Sequence, residues 1–299
     1  MKFESDADLR RFIRPYGVED PEDFSLADHD PGDTHSLPKG FKADAKTLLA
    51  QSVEWMAEQQ ALLAAQDQWA LLLIFQGRDA AGKDSTIRHV MTGLNPQGCH
   101  VTSFKRPHHE DLDHDFLWRY HRHIPARGDI GIFNRSHYEE VLIVRIHQQL
   151  LRAQKIPEQL VTEQIWEQRF EDINNFERYL SRNGVRIVKF YLNISKDEQK
   201  KRFLSRLEHP EKHWKFSEDD IAERRYWDEY SRVYQDMISH TATEQAPWYV
   251  VPADTKWYAR LLVASVVVST LQSMALGYPQ VSRKTMKDFD RARKELESS

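Results

Sequence analysis

The chain has 299 residues, 40% of them hydrophobic, with a formal net charge of −4 and one cysteine. That length supports one large α/β core with appendages, the charge excludes a globally basic nucleic-acid binder, and the single Cys99 excludes an intramolecular disulfide framework. The mean hydropathy is −0.69, and the longest apolar runs, Ala70 to Phe75 and Leu261 to Val268, are too short to cross a bilayer, so no membrane role is expected.

Residues 1–40 are rich in Asp, Pro and Gly around one apolar and basic patch, Leu9 to Tyr16. They read as an N-terminal arm outside the core. No early segment joins a basic start to an apolar stretch, so the reducing cytoplasm is the expected compartment. From Ala43 to Gln68, Leu48, Leu49, Val53, Met56, Leu62 and Leu63 recur at helical spacing, which predicts an amphipathic helix lying on a sheet. Trp69 to Phe75 is a continuous apolar run suited to a strand buried on both faces of a parallel sheet.

Further strands are expected at 100–104, 129–133, 186–193 and 248–251, with helices at 83–93, 110–121, 136–150, 157–182, 195–207 and 217–239. Ser195 with Glu198 and Ser217 with Asp220 resemble capping pairs at two helix starts. A last helix runs from Asp254 through Leu276, followed by a charged tail at 281–299 that reads as disordered. Strands alternating with helices predict a three-layer α/β/α fold around a central, mostly parallel five-stranded sheet, spanning residues 41–280.

The strongest chemical signal is Gly77-Arg78-Asp79-Ala80-Ala81-Gly82-Lys83-Asp84-Ser85, directly after the first strand and before a helix. Glycines let successive backbone N–H groups curl around phosphate oxygens, and the helix N-terminus adds partial positive charge. Lys83 supplies a full charge for a transferring phosphoryl group. The usual P-loop places Ser or Thr after this lysine to hold Mg²⁺; here Asp84 stands there and Ser85 follows one place late. Asp79 and Asp84 are hard oxygen ligands in a phosphate cradle, which makes sense if Mg²⁺, or Mn²⁺ as a substitute, sits between. The plainer reading is that both favour the helix dipole.

At the end of the third expected strand lie Asn134, Arg135, Ser136, His137, Tyr138 and Glu139, where open α/β sheets place their ligands. Asn134 is neutral and a weak metal ligand. Arg135 can grip phosphate in bidentate fashion, or it pairs with Glu139 one turn on.

The loop from Gly77 to Ser85, Phe104-Lys105-Arg106-Pro107, Leu117-Trp118-Arg119, the segment Asn134 to Glu139, Trp214-Lys215, Pro247-Trp248 and Pro252-Ala253-Asp254 together resemble the polyphosphate kinase 2 family, from about Gly40 to Gly277. The resemblance implies a thymidylate-kinase-like P-loop domain with a helical lid at about 200–225, assembled as a homodimer or homotetramer. It puts Walker A residues on Asp79 and Lys83 and the Walker B arginine on Arg135. It implies Mg²⁺-dependent transfer from inorganic polyphosphate to adenine nucleotides, with guanine nucleotides as further candidates and no nucleic-acid partner. Asn134 and Glu139 resemble the third class, which accepts both monophosphate and diphosphate and so gives Glu139 a site and metal role.

Lys200, Lys201, Arg202, Arg206, Lys212 and Lys215 form a basic run that by itself reads as a solvated helix face. As the implied lid it makes Arg202, Arg206, Lys212 and Lys215 phosphate contacts. Lys105 and Arg106 should face the same ligand edge. The histidines at 108, 109, 114, 121 and 123 fit no zinc spacing, and Trp118, Trp166, Trp214, Trp227 and Trp248 suit packing better than adenine stacking. The competing functions are an ATP-dependent nucleoside monophosphate kinase of similar fold and a nucleotide-binding switch.

Overall fold

The computed structural model describes residues 6–298. Its five strands are β1 (Ala70–Gln76), β2 (Cys99–Ser103), β3 (Ile130–Asn134), β4 (Val185–Asn193) and β5 (Trp248–Pro252), in the spatial order β2-β3-β1-β4-β5. Every pair is parallel, so the sheet is wholly rather than mostly parallel. All seven residues of β1 are buried, and they alternate between two cores: Leu71, Leu73 and Phe75 face one, Ala70, Leu72 and Ile74 the other. The first core lies under the helices Lys42–Gln66 and Lys256–Ser273, the second under Ile165–Arg182 and Trp227–Thr241. This is the three-layer α/β/α arrangement. With β3 on one side of β1 and β4 on the other, the chain reverses direction at β1, and a crevice opens at its carboxyl end.

The segment from Asp6 to Tyr16 is not an appendage. The helix Asp6–Ile13 contacts Lys256–Ser273, and Leu9, Phe12, Ile13 and Tyr16 are buried, the last three in the first core. The Tyr16 and Tyr258 hydroxyls lie 2.6 Å apart, and Tyr16 also donates to Asp33. The physical reason is the helix Lys256–Ser273, apolar on nearly every face, which needs cover on its outer side as well as on the sheet. The segment expected to be disordered is instead the helix Arg283–Ser298, which buries no residue.

Three expected helices are broken. Residues 110–121 form only single turns, His109–Leu112 and Trp118–His121, because Asp115 accepts the Leu117 N–H at 2.9 Å and competes with the helix. Residues 136–150 become a 3₁₀ turn, His137–Val141, and two short helices, since Ser136 Oγ accepts the Tyr138 N–H. Residues 217–239 are interrupted by the 3₁₀ turn Arg224–Tyr226. The Ser195 cap forms as expected, accepting the Glu198 N–H at 3.1 Å; Ser217 caps the N–H of Asp219 rather than Asp220.

Candidate active site

The loop after β1 turns back sharply enough to require its glycines. Gly77 has φ 153° and a Cβ there would meet Leu192 O at 2.9 Å; Gly82 has φ 104°. Between them Ala80 also sits in the left-handed region, at φ 62°. Ala81 is buried in the core, and its N–H closes the turn on Arg78 O at 3.1 Å, so it serves the loop and not a ligand.

Lys83 opens the following helix and is only 8% exposed. Its Nζ donates to Gly77 O at 2.5 Å and Arg78 O at 3.2 Å. Burial pushes the ammonium down to about 8, with Arg135 acting the same way against Asp79, Glu139 and Asp84. The charge is thus held at a cost that bound phosphate would relieve.

Arg135 follows β3 with φ 64°. Its Nη2 donates to Asp79 at 2.5 Å and its Nη1 to Glu139 at 3.2 Å. The pairing with Glu139 anticipated as the plainer reading therefore forms. Glu139 is held a second time: the Gln76 amide, oriented to accept from Ser136 Oγ at 3.1 Å, donates to Glu139 at 2.9 Å. Asn134 Nδ2 donates to Asp84 at 2.5 Å.

Two cavities meet here. The larger, about 980 Å³, is walled by the phosphate loop and the lid and lined by eleven Lys and Arg side chains against three carboxylates, Asp79, Asp84 and Glu198. That excess selects a polyanion. Lys105, Arg206, Lys212 and Lys215 line it with Lys83 and Ser85, as the sequence suggested, and so do Arg88, Lys201, Lys256 and Arg260, which it did not single out. Lys256 and Arg260 open the helix after β5, so their place at the carboxyl edge of the sheet was the available signal. The smaller cavity, about 30 Å³, is lined by Arg135, Glu139, Trp227, Tyr230 and Tyr234 among others. Asp79 and Arg135 line both and form the common wall.

Three expected phosphate contacts are engaged with the protein itself. Arg202 spends its whole guanidinium on the protein: Nη1 donates to Ala80 O and Ala81 O, both at 2.9 Å, Nη2 to Ala253 O at 2.6 Å and Asp254 O at 3.1 Å, and Nε to Glu198 at 2.9 Å. It staples lid, loop and β5 together. Arg202→Met is expected to lower stability by about 2–3 kcal/mol and activity about 10-fold, with Arg202→Lys giving little rescue because an ammonium cannot span both carbonyl pairs. Thermal melts and turnover measure this, and a wild-type melt for Arg202→Met would refute the staple. Arg78 is 8% exposed, stacked 3.7 Å over Trp227 and donating to Ser231 at 2.6 Å. Arg106 is exposed and pairs with the lid residue Asp219 at 3.1 Å, outside the large cavity.

On the lid, Arg206 donates to Asp220 at 2.8 Å and to Lys215 O at 3.1 Å. In the sequence Asp220 stands only as an expected capping partner of Ser217, with no sign of this pairing. Burial raises its carboxyl above the ordinary range, and Asp79 across the site adds to the effect, so the lid brings a carboxylate close to the reacting wall. Among the described residues no group of three or more His, Cys, Asp or Glu converges as a preformed metal site. Asp79 and Asp84 border the large cavity whereas Glu139 borders only the small one. Two hard oxygen donors among phosphate-binding cations suit a cation that arrives with its phosphate; Glu139 stands apart from that pair.

The comparisons agree with this geometry. The family model for polyphosphate kinase 2 matches residues 41–277. An ADP-polyphosphate phosphotransferase of Rhodopseudomonas palustris is 50% identical over 250 residues, 83% of this chain and 86% of that one. An AMP/ADP-polyphosphate phosphotransferase of Meiothermus ruber is 43% identical over 270 residues, 90% and 96% of the two chains. The crystal structure of polyphosphate kinase 2 from Arthrobacter aurescens superposes with a TM-score of 0.83 at 41% identity, covering 95% of this chain and 98% of that one. With the loop, the wall and the basic cavity in place, the chain belongs to the polyphosphate kinase 2 family.

Proposed function

We propose that the protein transfers the terminal phosphoryl group of inorganic polyphosphate to AMP and to ADP, giving ADP and ATP, reversibly and by direct in-line displacement. The observation that carries this reading is the Asp79–Arg135 wall shared by two cavities. Polyphosphate lies along the cationic cavity with its terminal group at Lys83 and Arg135. The acceptor's phosphate approaches from the side of Glu139, Trp227 and Tyr230. A cavity of about 30 Å³ holds only a water or two, so acceptor entry requires the lid to swing away and its return excludes water. Asp79 and Asp84 would hold Mg²⁺, which supplies charge neutralisation on the phosphate oxygens. Among the described residues lining the two cavities no activated nucleophile stands beside a base, so no phospho-enzyme forms. The same family leads us to place the protein in the cytoplasm as a homodimer or homotetramer, which light scattering measures.

An ATP-dependent nucleoside monophosphate kinase has no use for a cavity carrying so many cations beyond the loop. The test offers AMP, ADP, GMP and GDP separately with polyphosphate and Mg²⁺, alongside an ATP-donor arm and an EDTA arm. Conversion of AMP through ADP to ATP, lost in EDTA, is expected; inert polyphosphate with active ATP would overturn the reading.

Glu139 sets acceptor range in this proposal. It is fixed by both Arg135 and Gln76 and borders the acceptor cavity, so it can place the shorter acceptor at in-line distance. A misplacement of about 1 Å costs roughly 100-fold in rate. Glu139→Asn is therefore expected to lose AMP phosphorylation by about that factor while keeping ADP phosphorylation. Equal retention of both would reduce Glu139 to a partner of Arg135.

A further inference from the structure

Arg135 carries a Cβ yet sits at φ 64°, a conformation that persists only where the surroundings over-determine it. On its sheet side the hold is plain: its N–H donates to Phe75 O at 3.0 Å. On the other side, three residues on, lies a polar cluster sealed in the second core. Tyr138, Lys189 and Thr241 are fully buried and Glu177 is 1% exposed. Lys189 Nζ donates to Glu177 at 2.6 Å, to Thr241 O at 2.7 Å and to the Tyr138 hydroxyl at 2.8 Å, while that hydroxyl donates to the other Glu177 oxygen at 2.7 Å. An ammonium has three donors and no acceptor, and all three are used. The proton count closes with Lys189 charged, Glu177 ionised and Tyr138 neutral.

An ion pair this deep is a poor way to gain stability, since well-packed apolar residues of the same volume commonly do as well or better. What it provides is direction. The Tyr138 hydroxyl both accepts and donates within it, and Tyr138 is part of the 3₁₀ turn that follows Arg135. Thr241, the third partner, ends the helix Trp227–Thr241, whose early residues line the acceptor cavity. The pair thus joins the turn behind Arg135 to the helix facing it.

We propose that Tyr138, gripped by the buried Lys189–Glu177 pair, is a positioning residue that holds Arg135 in its left-handed conformation against Asp79. The inference rests on the assignment of Arg135 to the reacting phosphates. Tyr138→Phe keeps the ring, which packs 4.9 Å from Trp248, and leaves Lys189 paired with Glu177. At a temperature where circular dichroism shows both proteins fully folded, Tyr138→Phe is expected to lower kcat about 10- to 100-fold, with KM for polyphosphate and nucleotide moving less than about 3-fold. If Tyr138 acts through Arg135, its loss should cost little more in an Arg135→Lys background. Near-wild-type kcat for Tyr138→Phe, or fully additive losses in the double variant, would overturn the proposal while leaving the role of Arg135 intact. Full activity in Arg135→Ala would instead remove the assignment of Arg135, and the proposal with it.

Discussion

Replacing Lys83 by alanine is expected to lower kcat by about 100-fold or more, with a much smaller change in KM for polyphosphate. A preorganised charge that binds the transferring group more tightly as it leaves acts mainly on turnover. Lys83 fits that role because it is buried at the head of the loop helix, with Nζ held by two loop carbonyls within reach of Asp79 and Arg135. Its charge is disfavoured by burial, so its removal should not destabilise the fold as the loss of a structural ion pair would. The expected signature is a folded protein with an unshifted or slightly raised melting temperature and almost no turnover. Steady-state rates in both directions, with the melt, separate these effects; near-wild-type kcat in a folded Lys83→Ala protein would exclude the assigned role.

The largest effect is expected at Arg135. An arginine that stabilises charge on a transferring phosphoryl group contributes on the order of 1000-fold or more, so Arg135→Ala should lower kcat/KM by about 1000-fold. Arg135→Lys should recover little and remain at least about 100-fold impaired, because one guanidinium bridges Asp79 and Glu139 while an ammonium offers no planar fork. Arg135→Ala also leaves Asp79 and Glu139 without their shared cation, which repels an incoming phosphate. Product formation from polyphosphate with ADP measures the loss, and an Arg135→Lys enzyme within about 10-fold of wild type would show that only the charge matters there.

The strand and loop signals in the sequence were local, and that is why they were legible. The apolar run of β1, the glycines at 77 and 82, the Ser195 cap and the spaced motifs each depend on neighbours a few residues away. They determine the fold class, the phosphate loop and the place of Arg135 without any long-range contact. The tertiary structure decided what each cation does. Arg202 and Lys215 look alike in a basic run and both line the large cavity, yet Arg202 commits its guanidinium to four backbone carbonyls, because a cationic donor serves carbonyl and phosphate oxygens equally well and only geometry chooses. Arg88, Lys256 and Arg260 joined the polyanion cavity because separate helices start at one sheet edge. Phe12 and Tyr16 entered the core because a helix some 240 residues later left an apolar face uncovered. Lys189, within a strand, and Glu177, on a helix, gave no sign in the sequence of the pair they form behind Arg135. Such pairings across the chain lie outside what periodicity can encode, since burial and partner are set by the packing of whole elements.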